Sequence, residues 1–237
     1  MLLLKLVGAV LIVAVSSASA SADVITFNTS DRQFDRGVDN QGWWSATGPN
    51  VNTNDNYFAG STCRDSTCSA IDQTRNFFTF DLASLSGTVV SATLELRRSF
   101  NQSPTATYQL FDVSTDARTL NNNTGTSGAI FDDLGTGHNY GVFQVTNGGR
   151  DDTLQFTLNG AGRADIQAAS GRFFSIGGDV LGGFLFGGSD GRAGSGIQRL
   201  VVTTVSPTPE PASITGVLIG ITMIVLGRRK SVRSSRT

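Results

Sequence analysis

The stretch VVSATLEL, residues 89–96, alternates between apolar and polar side chains after its first residue. In an extended strand successive side chains point to opposite faces, so this alternation predicts a strand with one buried and one solvated face. The predicted buried face carries Val90, Ala92, Leu94 and Leu96, and the predicted solvated face carries Ser91, Thr93, Glu95 and Arg97. One such strand needs partners, so the rest of the chain must supply them.

Similar short runs recur along the chain, separated by turn residues. Besides TLQFTLN at residues 153–159, strands are predicted within VITFNT, NYFAG, RNFFTFDL, TATYQLFDV, NYGVFQVT, GRFFSIGG, GGFLFGG and IQRLVVTTV. Glycine, with 28 of 237 residues, exceeds its usual share of about 7%. About ten short strands between many turns predict an all-β fold, an antiparallel β-sandwich of jelly-roll type. The one predicted helix follows the turn at Asn159-Gly160 and covers residues 161–169.

Residues 1–22 have the layout of a secretory signal peptide. One cation, Lys5, precedes an apolar stretch over residues 6–15, and Ala18-Ser19-Ala20 or Ala20-Ser21-Ala22 supplies small residues before a cleavage point. The secretion translocon and signal peptidase recognise such a segment, and its removal leaves Asp23 as the first residue. A permanent anchor is the alternative, but the apolar stretch is short for one.

Residues 23–206 would form the exported part, long enough for one domain with its own core. They hold eighteen acidic side chains and twelve basic ones, all arginines, for a net charge of −6. Nucleic-acid binding requires a basic surface, so we expect no nucleic-acid partner.

Residues 207–237 contain three features in order. The triplet Pro209-Glu210-Pro211 is followed by an uncharged apolar run over residues 212–227 and then by Arg228-Arg229-Lys230. As a helix the run would be about 24 Å long, against a bilayer core of about 30 Å. It is a marginal membrane-spanning helix, and the positive-inside rule places its basic end in the cytoplasm. The alternative is a buried core helix, but a helix that is apolar all round needs a large protein around it.

This order of features resembles the PEP-CTERM sorting signal of exported bacterial proteins. The resemblance implies that an exosortase, a membrane-embedded processing enzyme, cleaves near the triplet and removes the tail. It also implies that the protein is first held in the membrane and then reaches the cell surface or extracellular matrix of a Gram-negative-type bacterium. Two departures leave the exact fate open: Thr208 stands where valine is more usual, and SVRSSRT extends beyond the basic cluster.

A second resemblance lies in RNFFTFDLASLSGTVVSATLEL, residues 75–96. This segment is similar to a strand pair in extracellular sandwich domains of the carbohydrate-binding-module or DNRLRE type. Such domains often accompany PEP-CTERM tails and are commonly noncatalytic. The resemblance covers only these residues and supports the fold more than a function.

No set of residues fits a catalytic pattern. GGSDG places Ser189 as in a hydrolase nucleophile elbow, but no helix-forming run follows it, and the single histidine, His138, comes earlier in the chain. The flanking glycines predict that His138 is a loop residue. The pairs Asp132/Asp133 and Asp151/Asp152 lie in turn-like sequence and are interpreted as solvated turns. We therefore predict that the protein is not an enzyme.

The two cysteines, Cys63 and Cys68, would be exported together, which predicts a disulfide between them. With one histidine they cannot build a usual zinc site. Calcium is the only cofactor candidate, because NVNTNDN places the oxygen-bearing side chains Asn52, Asn54 and Asp55 in one loop. The alternative is an asparagine-rich loop selected for its turn conformations, and the EF-hand spacing is absent.

Trp43 and Trp44 form the candidate sugar platform, because exposed indoles stack on sugar rings. The alternative is packing in the core, and on a strand one indole would be buried and the other exposed. The sequence thus favours a noncatalytic surface or matrix protein that binds exopolysaccharide. The other hypothesis is a secreted polysaccharide-active enzyme, a lyase or hydrolase, which would require a cleft with two or more convergent carboxylates.

Overall fold

The computed structural model describes residues 21–50, 56–63, 66–69, 71–98, 104–122, 124–149, 151–186 and 198–206. Within this set, residues Ala22–Ser206 form one compact unit. Outside the set lie residues 1–20 of the predicted signal peptide, the calcium candidates Asn52, Asn54 and Asp55, Ser189, and the sorting signal from Pro207 onward. None of the helices in the described part is long and apolar enough to cross a membrane.

The described residues form eleven strands and three short helices. The strands are β1 (Ala22–Asn28), β2 (Gln41–Ser45), β3 (Ala59–Cys63), β4 (Ile71–Asp81), β5 (Thr88–Arg97), β6 (Thr105–Asp112), β7 (Asn139–Thr146), β8 (Thr153–Thr157), β9 (Phe173–Leu181), β10 (Phe184–Leu185) and β11 (Gln198–Val205). The helices are α1 (Ala117–Asn121), α2 (Gly128–Asp133) and α3 (Gly160–Ala168). The chain is therefore mostly β, as predicted, and α3 is the predicted helix. The sequence missed α1 and α2, which are too short to show a helical period.

All strand pairs are antiparallel and fall into two sheets. The first sheet has the order β1-β11-β5-β8. The second has the order β10-β3-β4-β9-β6-β7, with β2 paired to β4. One hydrophobic core joins both sheets, with Phe27, Leu94 and Leu200 from the first and Phe78, Phe80 and Tyr108 from the second. The alternating apolar residues of both sheets thus face each other, as the sequence pattern predicts.

The structure corrects the prediction for two residues in β5: Glu95, predicted to be solvated, is buried with its carboxylate bound by Gln155 and Arg199, and Val90 faces solvent. Ala92, Leu94 and Leu96 are fully buried as predicted, but Val90 is 44% exposed. Between Thr203 and Thr204 of β11 the pairing shifts, so that Val90 has no partner in β11 and Val89 packs against the core instead. An irregularity of this kind inserts one residue and reverses the faces beyond it, which a simple alternation cannot predict.

The outer face of the second sheet is covered at β2, β4 and β9. Trp44, Phe77, Leu120 and Leu134 form a second, smaller hydrophobic cluster there. A methyl group at Gly177 of β9 would lie 2.6 Å from the carbonyl oxygen of Leu134, so this glycine lets the covering segment approach the sheet. Residues 113–122 and 124–138, which include α1 and α2, therefore form a layer on this part of the sheet.

Cys63 and Cys68, for which the sequence predicts a disulfide, are bonded to each other with Cα atoms 4.7 Å apart. The closed loop is short, so loop-closure entropy limits its contribution to about 2 kcal/mol. We expect the double variant Cys63→Ser/Cys68→Ser to fold, with a free energy of unfolding lowered by about that amount. Urea denaturation of both proteins measures the difference, and failure of the variant to fold would show that the bond is essential.

Candidate functional site

An open cleft of about 690 Å³ lies where several elements end. Its lining includes Asp112 at the end of β6, the residues that lead into α1, the last turn of α3 and the beginning of β9. Phe34, from the loop between β1 and β2, lies at the same cleft. The cleft is therefore assembled from parts of the chain that are distant in sequence.

Two phenylalanines form an aromatic shelf in this cleft. The ring centroids of Phe34 and Phe173 are 4.6 Å apart, with an angle of 37° between the planes. Both side chains are half-buried. Phe173 is fixed because it begins β9, and the backbone N–H of Phe34 donates to Oδ1 of the buried Asn40 at 3.1 Å. The shelf is thus a positioned apolar surface that remains partly open to solvent.

Arginines surround the aromatic shelf. The guanidinium carbon of Arg32 lies 4.8 Å from the ring centroid of Phe173, and that of Arg118 lies 5.6 Å from the centroid of Phe34. Arg172 also lines the cleft. The contacts of Arg32 and Arg118 with the rings are both within the range of cation–π attraction. Arg32 is paired with Asp81 at 3.4 Å, whereas within the described residues no ion pair joins Arg118 or Arg172 to a carboxylate.

Two carboxylates of the cleft converge on His138. Oδ2 of Asp165 lies 2.9 Å from Nδ1 of His138 and accepts a hydrogen bond from the Tyr140 hydroxyl at 3.0 Å. Asp112 accepts from the backbone N–H of His138. Gly137, with a φ of 88°, permits this approach, because a methyl group there would lie 2.1 Å from Oδ1 of Asp112. These contacts tie β6, β7 and α3 together at one end of the cleft.

Two side chains at this end of the cleft have raised pKa values. The hydrogen bond and negative charge of Asp165, together with the charge of Asp112, raise the pKa of His138 above its usual value. Burial, and then the charge of Asp165, raises the pKa of Tyr140. Tyr140 therefore stays protonated and acts as a hydrogen-bond donor to Asp165.

Protonated His138 should stabilise the fold. Because the pKa is raised in the folded state, this stabilisation is fully present below the unfolded value of about 6.5 and is lost as pH rises through the folded value. We expect the melting temperature of the wild type to exceed that of His138→Gln at pH 5.5 and to approach it at pH 9. Thermal melts at a series of pH values measure this, and a difference independent of pH would contradict it.

The segment between β6 and α1 is held by Asp133 of α2. Its carboxylate accepts hydrogen bonds from the backbone N–H and hydroxyl groups of Ser114 and Thr115, at 2.6 to 3.3 Å. Partial burial would raise the pKa of Asp133, but these hydrogen bonds outweigh burial and lower it. Asp116 then caps α1 by accepting from the N–H groups of Arg118 and Thr119. The backbone that carries Arg118 is therefore fixed.

The predicted tryptophan platform is not one exposed surface. Trp44 is 3% exposed, lies in the second cluster, and donates from Nε1 to the carbonyl oxygen of Leu120 at 3.1 Å. Trp43 is half-buried, with its ring 4.5 Å from that of Phe58. The two indoles face opposite sides of β2, and Trp44 cannot contact a sugar because α1 and α2 cover it.

The cleft residues were not identified from the sequence, and the acidic pairs that the sequence did single out lie outside its lining. Asp151 is paired with Arg97, Asp152 lies 3.9 Å from Arg98, and Asp133 holds the segment before α1. His138 is a loop residue as predicted, since it precedes β7, although it pairs with Asp165. Within the described residues no group of three or more His, Cys, Asp or Glu side chains forms a metal site.

A scan against protein-family models finds no match to this chain, and a search of curated proteins finds none. The aromatic shelf, the arginines and the carboxylates give the cleft an apolar floor with polar groups around it, which is the arrangement typical of small-ligand sites.

Proposed function

We propose that the protein is an exported, noncatalytic component of the cell surface or extracellular matrix that binds exopolysaccharide in this cleft. The observation that carries the proposal is the aromatic shelf of Phe34 and Phe173, half-buried and flanked by arginines and aspartates. A sugar ring has an apolar face that packs on aromatic rings and a rim of hydroxyl groups that bind charged side chains. The binding surface is thus Phe34/Phe173 rather than Trp43/Trp44.

The proposed architecture is a jelly-roll type sandwich. Two antiparallel sheets that share one core support it, and carbohydrate-binding domains are one of the uses of this architecture. The similarity of residues 75–96 to carbohydrate-binding-module or DNRLRE-type domains points the same way.

Affinity electrophoresis tests binding directly. The mature protein from its native host is run through gels that contain the exopolysaccharide of that host, and through gels without it. We expect retardation that grows with polysaccharide concentration and disappears when soluble oligosaccharide competes. Unchanged mobility in every gel would overturn the proposed binding function.

The proposed route to the surface is processing at Pro209-Glu210-Pro211 while residues 212–227 hold the chain in the membrane. The prolines keep the triplet out of the apolar helix and therefore accessible to an exosortase. We expect the mature native protein to end near Glu210 and to lack residues 212–237. Replacing the triplet by alanines should leave a longer, membrane-retained form. C-terminal mass spectrometry measures this, and a native surface protein that ends at Thr237 would contradict it.

A polysaccharide-active enzyme, a lyase or hydrolase, is the second candidate. The observation that favours it is the convergence of Asp112 and Asp165 on His138, because paired carboxylates perform acid and base chemistry on glycosidic bonds. The enzyme is the second candidate because Asp165 already accepts hydrogen bonds from two protein groups. These bonds fix β7 to α3, which gives the carboxylate a structural role. Release of reducing ends from a polysaccharide, lost in Asp165→Asn, would favour the enzyme over the noncatalytic protein.

A further inference from the structure

We infer that the saccharide bound in the cleft is acidic, and that its carboxylate or sulfate group contacts Arg118 and Arg172. This inference rests on the proposed saccharide-binding function and specifies the class of sugar. It follows from the hydrogen bonds that the charged side chains of the cleft already make within the protein.

The carboxylates of the cleft have protein donors. Asp165 accepts from Tyr140 and contacts His138, and Asp112 accepts from the backbone of His138. Asp116 accepts from two N–H groups of α1. Each of these negative charges is therefore stabilised before a ligand arrives.

The arginines differ from these carboxylates. Arg118 is exposed, and within the described residues its guanidinium group has only the contact with the Phe34 ring. Arg172 is exposed and donates one hydrogen bond, from Nη2 to the carbonyl oxygen of Ala168. A guanidinium group has five N–H donors in a planar fork that fits a carboxylate or sulfate. The guanidinium groups of Arg118 and Arg172 thus keep N–H donors that no carboxylate of the described residues fills.

The exported part has a net charge of −6 over residues 23–206, and the cleft itself holds three aspartates besides these two arginines. Such a protein repels a polyanion at long range, so an acidic sugar must gain its affinity from direct contact with guanidinium groups. The arginines lie beside the aromatic shelf, where the ring of a bound sugar would place an acidic substituent next to them. Asp116 and Asp133 fix the backbone that carries Arg118, so no ordering of this backbone is required on binding.

Calorimetric titration of the mature protein with three oligosaccharides tests the inference. The probes are an oligogalacturonate, the same oligosaccharide with its carboxyl groups reduced to alcohols, and a sulfated derivative of the reduced form. We expect the oligogalacturonate or the sulfated form to bind at least on the order of tenfold more tightly than the neutral form. Their ranking identifies the acidic group.

The variant Arg118→Gln/Arg172→Gln should lose this preference, so that it binds the acidic and neutral forms with equal affinity. Both side chains are exposed, so its melting temperature should match that of the wild type. Arg36→Gln is the matched control, because Arg36 is exposed but does not line the cleft, and it should bind like the wild type. Equal affinity of the wild type for acidic and neutral forms, or a preference that survives the double variant, would overturn the inference and leave saccharide binding intact. Absence of binding to all three would overturn both.

Discussion

Replacing Gly178 by alanine should destabilise the fold by more than about 4 kcal/mol, a large part of the stability of a typical domain. A methyl group at this position in β9 would lie 2.1 Å from both Oδ1 of Asn76 and the hydroxyl oxygen of Tyr108. These two groups are fully buried and bonded to each other at 2.8 Å. Asn76 also donates to the carbonyl oxygen of Tyr57 at 2.8 Å. The methyl group would break this network and leave buried polar groups unpaired.

Gly128→Ala is the matched control for this variant. A methyl group at Gly128 would meet no atom within 4 Å, and the residue begins α2, where alanine is the better helix former. We expect its stability to equal or slightly exceed that of the wild type. Urea denaturation followed by circular dichroism measures both variants. A Gly178→Ala protein with wild-type stability would show that the Asn76–Tyr108 contact is not packed as described.

The second large effect is expected on binding. Phe34→Ala/Phe173→Ala should weaken saccharide affinity by about a hundredfold, because each ring contributes apolar contact worth about tenfold in affinity. Both rings are half-buried at the edge of the cleft, so the protein should still fold, with a lower melting temperature. Calorimetric titration with the oligosaccharide that the wild type binds measures the loss.

Phe143→Ala is the control for the aromatic shelf. Phe143 is also half-buried and has one aromatic partner, Phe156, at 5.1 Å, but it lines a different pocket between the edges of the two sheets. Its removal should reduce stability without changing affinity. Equal losses of affinity in the two variants would mean that the effect comes from general destabilisation rather than from contact with sugar.

Much of the fold follows from local sequence pattern. The alternation in residues 89–96 places Ala92, Leu94 and Leu96 in the core, and the turn at Asn159-Gly160 marks the beginning of α3. The predicted burial of Val90 is wrong because the register of β5 shifts where it pairs with β11. This shift depends on the partner strand and cannot be seen in the local pattern. The covering layer of residues 113–122 and 124–138 also depends on tertiary contacts, since α1 and α2 are stabilised by caps and by packing on Phe77 rather than by a periodic pattern.

The residues of the candidate site could not be predicted from the sequence. Phe34 lies in an irregular loop, and Phe173 begins a strand near the other end of the described chain. Their proximity depends on the complete sheet order, which no local pattern contains. The sequence predicts Trp43 and Trp44 as the sugar platform because exposed indoles stack on sugar rings. In the structure, however, Trp44 lies beneath α1. His138 was correctly placed in a loop, but its contact with Asp165 required the position of α3 against β7.

A crystal structure of the mature protein soaked with the oligosaccharide it binds most tightly tests the central claim most directly. The account predicts electron density for a sugar ring packed on Phe34 and Phe173, with its acidic group within hydrogen-bond distance of Arg118 or Arg172. Clear density for the sugar at another surface, with the cleft containing only solvent, would contradict it.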